Sequence, residues 1–239
     1  MARSENEMLE LILTTARSDE RIRAVVLNGS RANPQAQQDI FQDFDIVYFV
    51  TNVESFTDEE NWIHRFGDIM ILQTPEAKCD PPPLGDGRFT YLMQFMDGNR
   101  IDLTLFSINR KNDFRLESAT LLLLDKDGVF GQLPPASDSD YLPRPPTAQQ
   151  FDDCCNEFWW VSNYIAKGLW RSQIVYAKTI FEKPFRTQLL QMLLWYAGAK
   201  TNFQKNLGAH GKHLPQVLEP ELSQLLMQSY AGAHIEENW

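Results

Sequence analysis

No run in this chain approaches the roughly 20 consecutive apolar residues that a membrane helix needs. Its opening, Met1 to Glu7, lacks the apolar core of a secretory signal, so the protein is expected in the cytoplasm and off the membrane. Only three cysteines are present, too few for a disulfide scaffold. Cys154 and Cys155 are adjacent within a helical pattern and read as small buried residues. Among four histidines, His210 and His213 share a glycine-containing loop without a cysteine or acidic partner, a poor zinc site. A basic excess is also missing. The net charge is −10, with 24 acids against 14 bases in residues 1–146 and eight of each in 147–239. The first part of the surface therefore repels nucleic acid and favours a cationic small molecule. What the chain does have is 43% hydrophobic residues, enough to exclude wholesale disorder.

Periodicity divides the sequence into two parts. Ser4 can cap a first helix carrying Met8, Leu9, Leu11 and Ile12. Strands are expected near 22–28, 44–50, 68–73, 88–96, 100–106 and 120–125, with Asp97-Gly98 as a hairpin turn. A short connecting helix is expected over 54–66, and Pro81-Pro82-Pro83 with Gly85-Asp86-Gly87 marks a loop. Residues 134–146 are rich in Pro, Ser and Asp and read as a linker. Beyond it the period becomes helical. Thr147 and Gln150 form a capping box for a helix over 148–170, with Phe151, Cys155, Phe158, Ser162, Ile165 and Leu169 as its buried stripe. Further helices are expected over 184–200, opened by Pro184, and over 219–230. The expected domains are thus 1–133 and 147–239: an α/β (α+β) mixed-sheet domain, then an all-helical one.

Chemistry concentrates in three short segments: Gly29-Ser30-Arg31, Asp43-Phe44-Asp45-Ile46 and Ile101-Asp102-Leu103. Strand alternation puts Asp43 and Asp45 on one face and Phe44 on the other. Asp102 sits among apolar strand neighbours, where a carboxylate needs a partner. Two carboxylates beside a glycine turn that can approach phosphate oxygens suit Mg²⁺ carrying a nucleoside triphosphate. A metal shared by Asp43, Asp45 and Asp102 would complete the set. This ordered set is the pattern of the nucleotidyltransferase (polymerase-β-like) superfamily.

The fuller strings narrow the resemblance. Leu27-Asn28-Gly29-Ser30-Arg31, Phe41 to Ile46, Ile101 to Leu105, Leu124 to Asp127, and Arg144-Pro145-Pro146-Thr147 followed by Phe151 to Trp159 resemble the aminoglycoside 6-adenylyltransferases, the streptomycin-modifying enzymes. The resemblance implies transfer of AMP from ATP, with Mg²⁺, to a hydroxyl of an aminoglycoside, most closely the 6-position of streptomycin. Gly29 and Ser30 would touch the terminal phosphates; Arg31 would join them or be an exposed turn residue. Asp102 would be a third metal ligand, the base for the acceptor hydroxyl, or both. Asp153, Glu157 and Trp160 fall at i, i+4 and i+7 beside Asp152, suited to the guanidinium groups of streptidine. Asp152 and Asp153 would equally suit the helix N-terminal dipole. Lys167 would reach a phosphate or lie in solvent. Family members usually continue with more helical sequence, so the helical, substrate-binding domain is expected to be truncated here. The expected assembly is a monomer or weak homodimer.

Overall fold

A computed structural model describes residues 2–80, Pro82 and residues 85–239. The expected Pro81-Pro82-Pro83 loop therefore lies largely outside the described residues. Two compact units are present, Met1–Asp140 and Tyr141–Trp239. The mixed-sheet fold followed by helices is the order the sequence implies. Among the described residues no helix is long and apolar enough to cross a membrane.

The first unit is built on six strands: β1 (Ile22–Asn28), β2 (Phe44–Val50), β3 (Ile69–Gln73), β4 (Phe89–Phe95), β5 (Arg100–Ser107) and β6 (Thr120–Asp125). Their order is β3-β4-β5-β2-β1-β6. The β2–β5 pair is parallel and the other neighbours run antiparallel. Helix α1 (Glu5–Ser18) opens with the Ser4–Glu7 capping box and buries Met8, Ile12 and Ala16. Those residues join Phe44, Ile46, Tyr48, Ile101 and Leu103 in the larger core. The expected helix over 54–66 is instead two short pieces, α2 (Glu54–Thr57) and a 3₁₀ stretch at Trp62–Phe66. Phe56, Trp62 and Phe66 anchor both pieces in the core.

The opposite sheet face is divided along the strand direction. At one end Ala24, Val26, Val47, Phe49 and Phe106 form a second core, covered by Ile108, Phe114, Leu116 and Phe130. On β2 and β5, alternation then carries that same face from Phe49 to Asp45 and from Phe106 to Asp102. The polar row thus begins where the apolar cover ends.

The second unit contains α3 (Ala148–Trp170), α4 (Ile174–Ile180), α5 (Arg186–Lys200) and α6 (Pro220–Gln228). The Thr147–Gln150 capping box opens α3 as its sequence implies. Its buried stripe matches expectation at Ile165 and Leu169 and differs elsewhere: Cys154, Val161 and Gly168 also point inward, while Phe151 is exposed. Trp159 and Trp160 put large apolar side chains on the exposed side of the helix, which leaves periodicity a poor guide to the inward face. All three cysteines are free, and Cys154 is buried.

Pro184 does not open a helix. It lies within a π turn, Phe181–Phe185, that joins α4 directly to α5. Proline lacks an N–H and its ring crowds the carbonyl one turn back; a widened turn relieves both problems. Arg186 follows it, nearly fully buried, bonded to Glu182 at 2.6 Å and to the Ser229 carbonyl at 2.8 Å.

Candidate active site

Strand register brings the sequence-distant acids into one row. Asn28 pairs with Asp45 across β1–β2, and Asp45 pairs with Asp102 across the parallel β2–β5 junction. Asp43 immediately precedes β2. Paired residues on neighbouring strands point to the same face, so Asn28, Asp45 and Asp102 form a continuous polar line. Thr120 extends it, its hydroxyl donating to the Asn28 side-chain oxygen at 2.7 Å.

The turn after β1 fits closely over this line. Gly29 has a φ of +74°, and a Cβ placed there would lie 2.3 Å from Asp45 Oδ2. Only glycine suits both the left-handed backbone and that approach. The Gly29 N–H donates to the Ala119 carbonyl at 3.0 Å, so the turn is anchored by the segment entering β6. The Ser30 hydroxyl accepts a bond from the Gln42 side-chain amide at 3.2 Å.

Electrostatics in the row are strained towards a cation. Burial, then the negative charges of Asp102, Asp43 and Glu117, push the Asp45 carboxyl up to about 6. Burial also raises Asp43, partly offset by Arg100. Among the described residues no hydrogen-bond donor serves the Asp45 carboxylate. Arg31 also acts on Asp43, but the positive charge that meets the row's carboxylates directly is Arg100, two residues before Asp102 and on the same face of β5. Its guanidinium bonds both Asp102 oxygens, at 2.8 and 2.7 Å, and reaches Asp43 Oδ2 at 3.5 Å. No group of three or more His, Cys, Asp or Glu side chains stands ready as a metal cage among the described residues. Asp43 and Asp102 are instead turned onto Arg100. By chemistry, carboxylate oxygens are the donors a hard divalent cation takes, and Asp45 with Asp43 and Asp102 are the residues that could hold one once Arg100 gives way.

Arg31 is placed otherwise than a free phosphate ligand would be. It donates to the Asp43 carbonyl at 3.0 Å and the Gln42 carbonyl at 2.8 Å, and pairs with Glu5 at 3.1 Å. Its guanidinium stacks on Phe44 at 3.9 Å. Arg31 thereby fastens the far end of the 32–43 loop to the turn at its start.

The remaining candidates lie on α3, in the second unit. Asp152, Asp153 and Trp160 are exposed and Glu157 is partly exposed. Asp153 accepts from the Gln149 amide at 2.7 Å, and the Trp160 indole donates to Tyr164 Oη at 3.1 Å. The Lys167 ammonium stands 5.4 Å from the Tyr164 ring centre. Sequence reasoning overlooked Arg100, although its two-residue spacing from Asp102 on a strand was a readable signal. It also overlooked Glu117, whose charge acts on Asp45 from outside the strands and left no signature.

The class of protein this fold and row belong to is an adenylyltransferase enzyme family. A family model described as streptomycin adenylyltransferase matches residues 2–239, and the chain belongs to that family. It is 40% identical over 240 residues to the aminoglycoside 6-adenylyltransferase of Bacillus subtilis (strain 168), covering 99% of this chain and 84% of that protein. The protein of the same name from Campylobacter jejuni is 42% identical over 229 residues, covering 95% and 79%. That from Staphylococcus aureus is 36% identical over 230 residues, covering 95% and 82%. A solved structure of an aminoglycoside 6-adenyltransferase from Bacillus subtilis is 38% identical, with a TM-score of 0.45 over 99% of this chain and 84% of that one.

Proposed function

We propose that the chain transfers AMP from MgATP to a hydroxyl of an aminoglycoside, most closely the 6-position of streptomycin, with release of pyrophosphate. The observation that carries this reading is the register pairing of Asp45 with Asp102 beneath the Gly29 turn. Asp43, Asp45 and Asp102 would hold Mg²⁺, which when bound supplies charge neutralisation for the triphosphate.

The chain's own groups supply the rest. The turn at Gly29 and Ser30 lets backbone approach phosphate oxygens without a side chain intervening. Asp102 orients the acceptor hydroxyl and accepts its proton as the new O–P bond forms at the α-phosphorus and the bond to pyrophosphate breaks. Arg31 acts indirectly by fixing the loop that delivers Asp43. The acidic face of α3, with Asp152, Asp153, Glu157 and Trp160, offers carboxylates and an aromatic wall to guanidinium groups. Lys167 is proposed as a phosphate contact.

Incubation with ATP, Mg²⁺ and a panel of aminoglycosides, with pyrophosphate release as readout, tests the reading. Streptomycin should stimulate release strongly, and kanamycin-type compounds, which lack guanidinium groups, only weakly. Equal stimulation by both would indicate generic cation attraction and contradict a shaped site.

A further inference from the structure

Arg100 occupies an unusual position for an active-site cation. Its guanidinium satisfies Asp102 in a bidentate pair and leans towards Asp43, so it stands where the proposed reading requires a divalent cation. A bidentate arginine–carboxylate pair is among the stronger ion pairs, and it cannot be neutralised at working pH. Yet Arg100 is not locked in: its side chain is 40% exposed, against 19% for Asp102.

The space beside it is laid out for a different partner. Arg100 also lines a groove of about 590 Å³ over β3 and β4, together with Ile71, Gln73, Lys78, Leu92 and Gln94. Among the described residues no acidic side chain lines this groove, and Lys78 and Arg100 supply two positive charges. Apolar side chains give it a floor, and two amides give it hydrogen-bonding edges. Such a lining offers cations to a triphosphate and apolar surface to a flat, neutral base, and repels a polycationic antibiotic. Leu92 pairs with Asp102 across β4–β5, so the groove adjoins the carboxylate row directly.

We propose that Arg100 is an exchangeable internal counter-ion, which holds the carboxylates of Asp43 and Asp102 in the empty enzyme and moves to the nucleotide's phosphates when metal and nucleotide load. The inference rests on the reading of Asp43, Asp45 and Asp102 as the metal site. Its consequence is ordered loading. Metal alone must compete with a tethered guanidinium, whereas metal with nucleotide gives that guanidinium a new anion. Arg100 thereby couples the two affinities.

Binding of Mn²⁺ to the intact 239-residue chain, followed by the electron paramagnetic resonance of the free ion, tests this without reference to turnover. Arg100→Gln should bind Mn²⁺ in the absence of nucleotide about tenfold more tightly than the wild type, the effect of removing roughly 1.4 kcal/mol of competition. By calorimetry, the same variant should bind MgATP about tenfold more weakly, since a charge-assisted contact is gone. Arg100→Lys keeps a charge without the planar fork and should fall between the two, which guards against a variant that fails to fold. Mn²⁺ affinity in Arg100→Gln equal to or below that of the wild type would overturn the proposal. Asp45→Asn separates the possible failures. If it abolishes Mn²⁺ binding while Arg100→Gln leaves it unchanged, only the counter-ion role falls. If Asp45→Asn retains wild-type Mn²⁺ affinity, the metal-site reading fails, and the counter-ion proposal with it.

Discussion

Asp45 carries opposite demands in the empty and loaded protein. In the metal-free fold it is partly buried beside like charges, which costs stability; in the proposed reaction it would supply the anionic ligand the chemistry needs. Asp45→Asn should therefore lower pyrophosphate release by ~10²-fold or more, as removal of one preorganised electrostatic group does. The same variant should stabilise the metal-free protein by on the order of 1 kcal/mol, seen as a higher melting temperature. Thermal melts in chelator check the second half: a variant less stable than the wild type would contradict the repulsion described here. Asp97 is the contrasting carboxylate. Its bond to Arg3 at 2.6 Å, aided by the backbone and side chain of Asn99, holds it well below the usual 3.8. A depressed folded-state value means that its stabilisation is present above the unfolded value and is lost as pH falls through the carboxylate range. Asp97→Asn should accordingly cost about 1 kcal/mol at neutral pH, discounted for partial exposure. The difference from the wild type should shrink below about pH 4. Denaturant melts at pH 7 and pH 3 decide it, and a constant difference would contradict the assignment.

At the scale of elements, the Gly29 turn and the 32–43 loop position the acids. Gly29→Ala would place a methyl 2.3 Å from Asp45 Oδ2 and force a left-handed conformation costing about 1–2 kcal/mol. Activity should fall ~10²-fold even if the protein folds, because the acid is displaced from its working position. A crystal structure of the variant with Asp45 unmoved and activity retained would refute that account. The strands around this turn were legible in sequence because β1 is a short apolar run, and because β2 and β5 each set an acid between apolar neighbours. The helical unit was less legible. Apolar Trp159 and Trp160 on the exposed side of α3 obscured its inward face, and Pro184 read as a helix start although a π turn carries it through. Arg31 was visible as a site candidate but not as a loop fastener, since its partners are backbone carbonyls that no sequence pattern marks. Nor could local pattern reveal that Asp45 meets Asp102: a parallel register between strands more than 50 positions apart is a property of topology.

For the whole molecule, charge is unevenly distributed. The excess of acids falls in residues 1–146, the part that contains the carboxylate row, while 147–239 are balanced. Such a field would draw the proposed cationic acceptor from solution, and it is screened over about 8–10 Å at moderate salt. Raising ionic strength should therefore raise the KM for an aminoglycoside while changing kcat less, and initial-rate measurements across a salt series would show it. The central claim is that the row under the Gly29 turn performs adenylyl transfer. Mass spectrometry of streptomycin after incubation with ATP and Mg²⁺ addresses this most directly, run in parallel with the wild type and Asp45→Asn. The account predicts a product bearing one adenylyl group with the wild type and essentially none with the variant. Unmodified antibiotic with the wild type, or equal modification by both proteins, would contradict it.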